Sequence, residues 1–477
     1  MIHPKMLRVH KYTMFEYLHR FVYILIIPLT REILDYIANP YSIAKMIFVN
    51  IFSTFIIIIW AYFECISKKY LINNDRLLFE EGFLLKHKFF INLKDISSLT
   101  LKRTILNSIF SVSKLSISTQ TYKKKDCDIS LTLKSKNAKK LFSIIATQKE
   151  KRKIYSSKTL QVMIMSFSWS NPISGFLILL PILNKIEKIW GNDKLRNDVY
   201  SKMDLGLKSA LVNIPPVATN LIRITLVSWT LAFAFYIFQF LNFKSYLSED
   251  NLFINRGFLS KIFKSIKLKN INAILIKQTV FMAILKIYNV YVDTDGKKNN
   301  RKNLNLLKIG CKKHELKEIL NDFFAFSKHD CLEIKSPNNN IISFLLPNIL
   351  FFLLSVTTFI WVILNEYQYF FILLATFLLV LSLWLLILSN LAFKTSGFCI
   401  SKEKNIVIIN TNDLFSIFSV VVPSNKINLI EIHQNLFQKK NNFCDIVISI
   451  FSKKEKLFRV KNLNITDVEE GLKKFIN

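Results

Sequence analysis

The sequence predicts a multi-pass α-helical membrane protein whose membrane segments alternate with three α+β cytoplasmic modules. Two observations predict this class. Hydrophobic residues make up 51% of the 477 residues and charged residues 21%, a mixture that fits alternating membrane spans and soluble segments. Long apolar runs also occur in three pairs, and a basic segment follows each pair.

The fourth, fifth and sixth apolar runs have the length of about 20 residues with which a helix crosses a bilayer, and the second nearly does. Arg31 and Glu32 interrupt the first run, and Asn171 and Pro172 break the third. We predict interfacial or tilted helices for these two, since polar residues near span ends commonly lie among the headgroups; the alternative is an intramembrane site. The six runs cover residues 21–37, 46–63, 160–183, 217–241, 341–364 and 369–393.

The charge distribution predicts which side of the membrane the modules occupy. Lys and Arg number 65 against 33 Asp and Glu, a net charge of +32, and most of the excess lies in the three segments that follow the run pairs. The positive-inside rule then places the termini and the modules in the cytoplasm. The six cysteines contain no C-x-x-C pair, which also favours a reducing compartment.

These features divide the chain into alternating membrane and soluble segments. An N-terminal tail and the first run pair occupy 1–64, the second pair 159–243 and the third pair 336–393. The predicted modules cover 65–158, 244–335 and 394–477.

An internal duplication relates the modules. Asp75–Thr119 aligns with Asp250–Thr294 without a gap, at an offset of 175 residues and with 14 identities in 45 positions. A third, divergent copy follows at an offset of 156 from the second and lacks the turn glycine. Gly82 and Gly257 end β-rich runs, where glycine supplies the positive φ that a hairpin turn often needs. Each copy ends in a predicted amphipathic helix: after Ser135, over "KHELKEILNDFFAF" and over "TDVEEGLKKFI".

The motif "Y-L-x(3)-D-x-L…G-F-L", then "I-x-L-x-x-I", a polar break and a closing strand resembles the bacterial pleckstrin-homology-like (PH-like) domain of membrane proteins, in its three-module type. This resemblance implies three PH-like β-sandwiches or partly open barrels, each closed by a C-terminal helix. It implies a bacterial cell-membrane protein without catalytic residues, acting in envelope stress or assembly. The implied partners are the lipid bilayer, a smaller membrane protein with one PH-like module, and further copies of the chain.

Catalytic and metal motifs give no comparable signal. The sequence shows no phosphate-binding glycine loop, no H-E-x-x-H and no G-x-S-x-G, so we predict a non-enzymatic protein without a cofactor. Cys311, His314, His329 and Cys331 have the residue types of a zinc site. Because a predicted helix separates the two pairs by about 18 Å, surface histidines and packed cysteines are the favoured interpretation.

Basic clusters are the predicted binding residues. Near a cytoplasmic membrane face, such clusters hold anionic lipid headgroups at about 1 kcal/mol per basic residue; the alternative is solvated loops. Nucleic acid is not expected, because exposed aromatic residues do not alternate with the basic ones. The candidate lipid contacts are Lys123, Lys124, Lys125, Lys151, Arg152, Lys153, Lys297, Lys298, Arg301 and Lys302.

Two functions remain open on the sequence alone. The leading one is a membrane-anchored scaffold or binding protein whose modules bind a protein partner or the anionic membrane surface. The alternative is a transporter or lipid-handling protein that uses the broken helices near 160–183, with Arg31, Glu32 and Arg223 in or near spans.

Overall fold

The computed structural model describes most of the chain, and every strand pair in it is antiparallel. We group its elements into three repeat units: strands β1 to β7, β8 to β14, and β15 to β21. The described residues are 6–18, 43–73, 75–83, 85–119, 129–146, 153–170, 216–294, 305–324, 331–335, 337, 341–365, 369–401, 405–413, 416–450 and 456–476.

The first unit begins with a two-residue strand that precedes its apolar helix and pairs with the strand that follows that helix. In the strand Arg76–Glu81, buried side chains alternate with more exposed ones, which reflects a sheet with one face in the core. Its elements are β1 (Leu7–Arg8), α1 (Ile43–Ser67), β2 (Lys69–Asn73), β3 (Arg76–Glu81), β4 (His87–Asn92), β5 (Ile96–Arg103), α2 (Ile105–Ile109), β6 (Val112–Thr119), β7 (Ile129–Lys134) and α3 (Ser135–Ile145).

The second unit repeats this order, with its first strand again before the apolar helices and paired to the strand after them. Its elements are β8 (Lys153–Ser156), α4 (Thr159–Trp169), α5 (Pro216–Phe240), β9 (Lys244–Leu247), β10 (Asn251–Arg256), β11 (Lys261–Lys267), β12 (Ile271–Thr279), α6 (Val280–Ile284), β13 (Tyr288–Thr294), β14 (Asn305–Cys311) and α7 (Lys313–Phe324).

The third unit has the same arrangement around its own pair of apolar helices, α8 and α9. These two helices pack on each other, and the hydroxyl oxygens of Ser355 and Ser382 are 2.6 Å apart between them. The elements are β15 (Cys331–Lys335), α8 (Ile341–Leu364), α9 (Tyr369–Thr395), β16 (Gly397–Ser401), β17 (Ile406–Asp413), β18 (Ser416–Pro423), β19 (Ile427–His433), α10 (Leu436–Lys440), β20 (Phe443–Ile450), β21 (Lys456–Asn464) and α11 (Ile465–Ile476).

Strands of neighbouring units join into continuous sheets. β5 pairs with β11 at a contact that we call the first joint, and β12 pairs with β18 at the second joint. Two seven-stranded sheets result, in the orders β7-β6-β5-β11-β10-β9-β8 and β14-β13-β12-β18-β17-β16-β15. The remaining strands form a four-stranded sheet, β1-β2-β3-β4, and a three-stranded sheet, β19-β20-β21.

The hydrophobic core extends across the joints and is not divided into one core for each unit. One cluster of buried residues runs through the second and third units, from Leu252 and Val290 to Val420 and Ile446. A second cluster fills the first unit and takes in Phe253 from the second. Burial of apolar side chains across the joints, at about 25 cal/mol per Å², therefore couples the stability of neighbouring units.

The predicted fold class is wrong in its membrane part. Among the described residues, two helices are long and apolar enough to cross a membrane, Leu345–Leu364 and Leu374–Thr395, in place of a multi-pass α-helical bundle. Within the fully described parts of α1 and α5, the apolar stretches are the shorter ranges Thr54–Ser67 and Ile224–Phe240. Helix α4 has 11 residues, and at 1.5 Å per residue it reaches about half of the 30 Å hydrocarbon core.

The arrangement of the soluble modules also differs from the expected one. We expected three β-sandwiches or partly open barrels, whereas the strands of consecutive units share sheets. Hydrophobic alternation predicts that a segment is a strand but not which strand it pairs with. The reason is that the edge of a strand forms the same backbone hydrogen bonds with a partner from its own unit or from another.

The two turn glycines have the backbone conformation that the sequence predicts. The φ angles of Gly82 and Gly257 are +99° and +97°. A Cβ atom on either glycine would lie 2.0 Å from a carbonyl oxygen three residues later, on Leu85 or Ser260. Both turns therefore need glycine for conformation and for space.

Candidate functional site

A cavity of about 500 Å³ opens at the second joint, between helix α7 and the shared sheet. Its walls come from both units: β12, β13 and α7 of the second, and β15 to β18 of the third, together with the last residues of α9. Apolar side chains line much of it: Ile276, Leu316, Leu320, Ile334, Phe398 and Phe418. The size and the mixed lining are typical of a small-molecule site.

Four lysines line this cavity, and no acidic residue is among its lining residues. Lys313 and Lys317 stand one helical turn apart on α7, Lys335 ends β15, and Lys394 lies in the last turn of α9. All four are exposed. In the part of the chain that the structure describes, Lys313, Lys317 and Lys394 have no ion pair, so their charges are available to an anion.

The N-terminal turn of α7 adds to this positive potential, because the backbone N–H groups at a helix start carry partial positive charge. The carboxylate in that turn, Glu315, is engaged elsewhere: it lies 3.0 Å from Lys308 Nζ and accepts the Lys312 N–H at 2.9 Å. Burial opposes its ionisation, but these two donors outweigh burial and hold the pKa of Glu315 below its usual value. Glu315 is thus held ionised beside Lys308, and its carboxylate forms no ion pair with Lys313, Lys317 or Lys394 in the described residues.

The first joint shows why the second one has a cavity. In the first joint, one row of paired residues crosses the sheet, and its two aromatic rings stack with centroids 4.8 Å apart. Those rings pack into the core of the first unit. The row consists of Tyr246, Phe253, Ser265 and Leu99.

The same row of the second joint carries smaller side chains at the two aromatic positions. Cys399 and Ile408 occupy the positions of Tyr246 and Phe253, and two rows away Ser419 stands where Phe263 stands at the first joint. The backbone pairing is the same, so the smaller side chains leave the space open at this joint. The complete row is Cys399, Ile408, Val421 and Ile274.

The basic residues predicted from the sequence lie elsewhere. Lys153, at the start of β8, lies 2.7 Å from the Asp322 carboxylate and 3.9 Å from that of Glu318. Asp322 also accepts the Tyr155 hydroxyl at 2.5 Å; burial and this hydrogen bond raise the pKa of Tyr155. The lipid role of Lys153 stays a prediction. The other predicted contacts lie outside the described residues: Lys123, Lys124, Lys125, Lys151, Arg152, Lys297, Lys298, Arg301 and Lys302.

The zinc candidates are only partly described. Cys311 is fully buried at the end of β14, where its thiol donates to the Tyr288 carbonyl at 3.2 Å, and burial raises its pKa to about 12. His314 is exposed in the first turn of α7. His329 and the side chain of Cys331 lie outside the description. Within the described residues, no group of three or more His, Cys, Asp or Glu is placed to hold a metal.

Most residues on which the transport hypothesis depends lie outside the part of the chain that the structure describes. Arg31, Glu32 and residues 171–215 lie outside the described residues. Arg223 belongs to α5, and only its backbone is described. That alternative stays a prediction.

The cavity lysines are functional candidates that the sequence predictions missed. Clusters adjacent in sequence were the criterion, whereas these lysines come from three elements and lie up to 81 residues apart in the chain. A signal was present: Lys313 and Lys317 have the i, i+4 spacing that puts them on one helix face, and Lys394 ends an apolar run.

A comparison with known protein families agrees with the division of the chain into three repeat units. The family described as "Bacterial PH domain" matches the chain three times, over residues 22–149, 205–318 and 349–476. The chain belongs to the bacterial PH domain family. Three matches on one chain confirm the predicted three-module type. A search of the curated proteins finds no match to it. Bacterial PH domains of this family are generally non-catalytic binding modules, which indicates a binding or scaffold role.

Proposed function

We propose that this bacterial PH protein is a non-enzymatic, membrane-anchored scaffold that holds the headgroup of an anionic phospholipid at its second joint. One observation carries the proposal: exposed lysines surround an apolar cavity directly at the end of the apolar helix Leu374–Thr395. A helix that crosses a bilayer ends among the headgroups, so Lys394 would stand at their depth. An ammonium at that depth attracts anionic lipid.

The proposed place of action is the inner face of a bacterial cell membrane, in envelope stress or assembly. The net charge of +32 supports this orientation, because segments rich in Lys and Arg are retained on the cytoplasmic side. A Lys136→Cys variant tests it, because this residue is exposed on α3. We expect a membrane-impermeant maleimide to label it only after the cells are opened. Labelling in intact cells would refute the orientation.

Native mass spectrometry of the full chain in mild detergent tests lipid binding. Dioleoylphosphatidylglycerol is the anionic probe and dioleoylphosphatidylcholine the neutral one. We expect the anionic lipid to be retained preferentially. The variant Lys313→Gln, Lys317→Gln, Lys394→Gln should lose about 3 kcal/mol, on the order of 100-fold in affinity, at about 1 kcal/mol per lysine.

A matched control removes the same charge from the corresponding helix of the first unit. Lys136, Lys139 and Lys140 are exposed on α3, and their replacement by glutamine should leave the retained lipid unchanged. Equal losses in the two triple variants would show that net charge alone attracts the lipid, and would refute a site at the second joint.

A second variant tests the cavity without changing any charge. Cys399→Tyr with Ile408→Phe introduces at the second joint the aromatic pair that fills the first one. If the headgroup enters this space, the filled variant should lose the anionic lipid even though all four lysines remain. Undiminished binding to a folded, filled variant would place the lipid elsewhere.

A further inference from the structure

The two joints inside the chain use one register. At the first joint Arg103 pairs with Lys261, and at the second Gln278 pairs with Ile417. Arg103 and Gln278 correspond through the 175-residue offset, and Lys261 and Ile417 through the 156-residue offset. Neighbouring units are therefore joined by the same pair of strands in the same alignment: the fifth strand of one unit and the fourth strand of the next.

The same two strands are left without this neighbour at the two ends of the chain. In the described residues β4, the fourth strand of the first unit, pairs only with β3. Likewise β19, the fifth strand of the third unit, pairs only with β20. The end sheets have four and three strands, and each seven-stranded sheet inside the chain is a four-stranded and a three-stranded half joined at these positions.

The end strands expose apolar side chains at positions that the joints bury. On β19, Leu429 is 51% exposed and Ile432 40%, whereas the corresponding Ala273 and Ile276 on β12 are 1% and 7% exposed. An unpaired apolar edge strand is a template for another strand, and natural proteins usually cover or protect it.

The other end of the chain shows the same contrast. Phe90 on β4 is 69% exposed, and its counterpart at the first joint, Ser265, is 4% exposed. At both edges, apolar side chains are therefore exposed at positions where a partner strand covers the corresponding residues at the joints.

We propose that β19 of one copy of this chain pairs with β4 of a second copy, completing a third seven-stranded sheet between the two. Carrying over the register of the joints aligns Ile432 with Lys88 and Ile430 with Phe90. No two residues of the same fixed charge then stand opposite each other. An in-register parallel pairing of β4 with β4 would instead place Lys86 beside Lys86 and Lys88 beside Lys88 of the other copy, which is unfavourable in a sheet.

This interface joins two different surfaces of the same chain. Repetition of such a head-to-tail contact closes into a ring or continues as a linear array. The joint between copies repeats the joint within each copy. The apolar helices of every unit would therefore have the same orientation relative to the sheet of that unit. The proposal is independent of lipid binding at the second joint.

Disulfide cross-linking of the full chain in native membranes tests the pairing. Cα atoms of directly paired antiparallel residues lie about 4.5 to 5.5 Å apart, within reach of a disulfide. We expect Lys88→Cys with Ile432→Cys to form reducible dimers and larger species on oxidation. The matched control is Lys88→Cys with His433→Cys, because a shift of one residue turns the side chain to the other face of the sheet. Equal cross-linking in the two variants would refute the register.

Two differently tagged single variants identify the occupant. When Lys88→Cys and Ile432→Cys chains are expressed together, a disulfide between the two tags requires contact between copies, and its formation supports the proposal. Closure of a chain on itself would give a cross-linked monomer from the double variant and no product between the tags. Capture of a different protein, such as one with a single PH-like module, would give a product of another mass. Either of these results in place of the tagged pair overturns the proposal.

An edge variant supplies a second measurement. Ile432→Lys adds a charge to an exposed position, so the chain should fold normally, as judged by circular dichroism. We expect loss of the oligomer from native mass spectra of this variant. An oligomer that persists in the folded variant would contradict pairing at β19.

Discussion

Replacing Gly257 by alanine tests whether the turn between β10 and β11 requires a residue without a side chain. The new Cβ would lie 2.0 Å from the Ser260 carbonyl oxygen and 3.3 Å from that of Gln239. Both are backbone atoms, so the turn itself would have to move. The Gly257 N–H also donates to the Leu241 carbonyl at 2.9 Å, which ties the turn to the segment that follows α5.

The magnitude follows from these two costs. A φ of +97° costs an L-residue about 1–2 kcal/mol, and strain of the displaced turn brings the total to about 3 kcal/mol. At about 2–4 °C per kcal/mol for a folding unit of 150–250 residues, we expect the melting temperature to fall by about 6–12 °C. Thermal unfolding of the full chain in detergent, followed by tryptophan fluorescence, measures the change.

Gly471→Ala is the matched control. This glycine lies within α11 without a positive φ. Its new Cβ would meet the tip of the Ile334 side chain at 2.7 Å and contact that of Ile400 at 3.8 Å, and no backbone atom is among these neighbours. Alanine favours a helix by up to about 1 kcal/mol over glycine, which offsets the repacking. We expect little change in melting temperature. If Gly257→Ala and Gly471→Ala melt alike, the conformational requirement at the turn is refuted.

Three further predictions concern packing and ionisation. Phe253→Ala should destabilise the first joint by about 3–5 kcal/mol, because its ring is buried against Tyr246; chemical denaturation that gives the wild-type free energy would contradict this. Cys311 and Cys444 should resist iodoacetamide at pH 8 until the protein unfolds, because burial raises their pKa values to about 12 and about 11; rapid alkylation of the native protein would show that the thiols are accessible. Glu315→Gln should cost less than about 1 kcal/mol at pH 7, since the ion pair is partly exposed. Because the folded pKa of Glu315 is lowered, its contribution is present above the unfolded value of about 4.3 and lost below it, so the two proteins should converge in acid; a difference in stability that persists there would exclude this ionisation as its source.

Local sequence was enough to identify the features that depend on neighbouring residues. The two turn glycines have the predicted positive φ, since that requirement arises within four residues of chain. The predicted C-terminal helices occur at Ser135–Ile145, Lys313–Phe324 and Ile465–Ile476, because apolar residues at helical spacing define one buried face. Thr104 and Thr279, which are matched in the duplication, cap the N-termini of the short helices α2 and α6. Each threonine hydroxyl accepts a hydrogen bond from the backbone N–H three residues later, that of Asn107 or Met282.

Hydropathy alone did not predict where the apolar helix α4 ends. A run of apolar residues has the same composition whether its helix is continuous or stops, as α4 does at Trp169. Length then decides, and length depends on where the backbone leaves the helical conformation.

By itself the sequence determined that one unit is repeated three times, where its strands and helices lie, and which turns need glycine, because each of these depends on local pattern and on residue-by-residue correspondence. Only the tertiary structure decided that β5 joins β11 and β12 joins β18, and that lysines from α7, β15 and α9 surround one cavity. The physical reason is that a strand edge offers the same N–H and C=O groups whatever its side chains are, so its partner depends on how distant segments pack together. The free edges of β4 and β19 are visible for the same reason only when the whole sheet order is known.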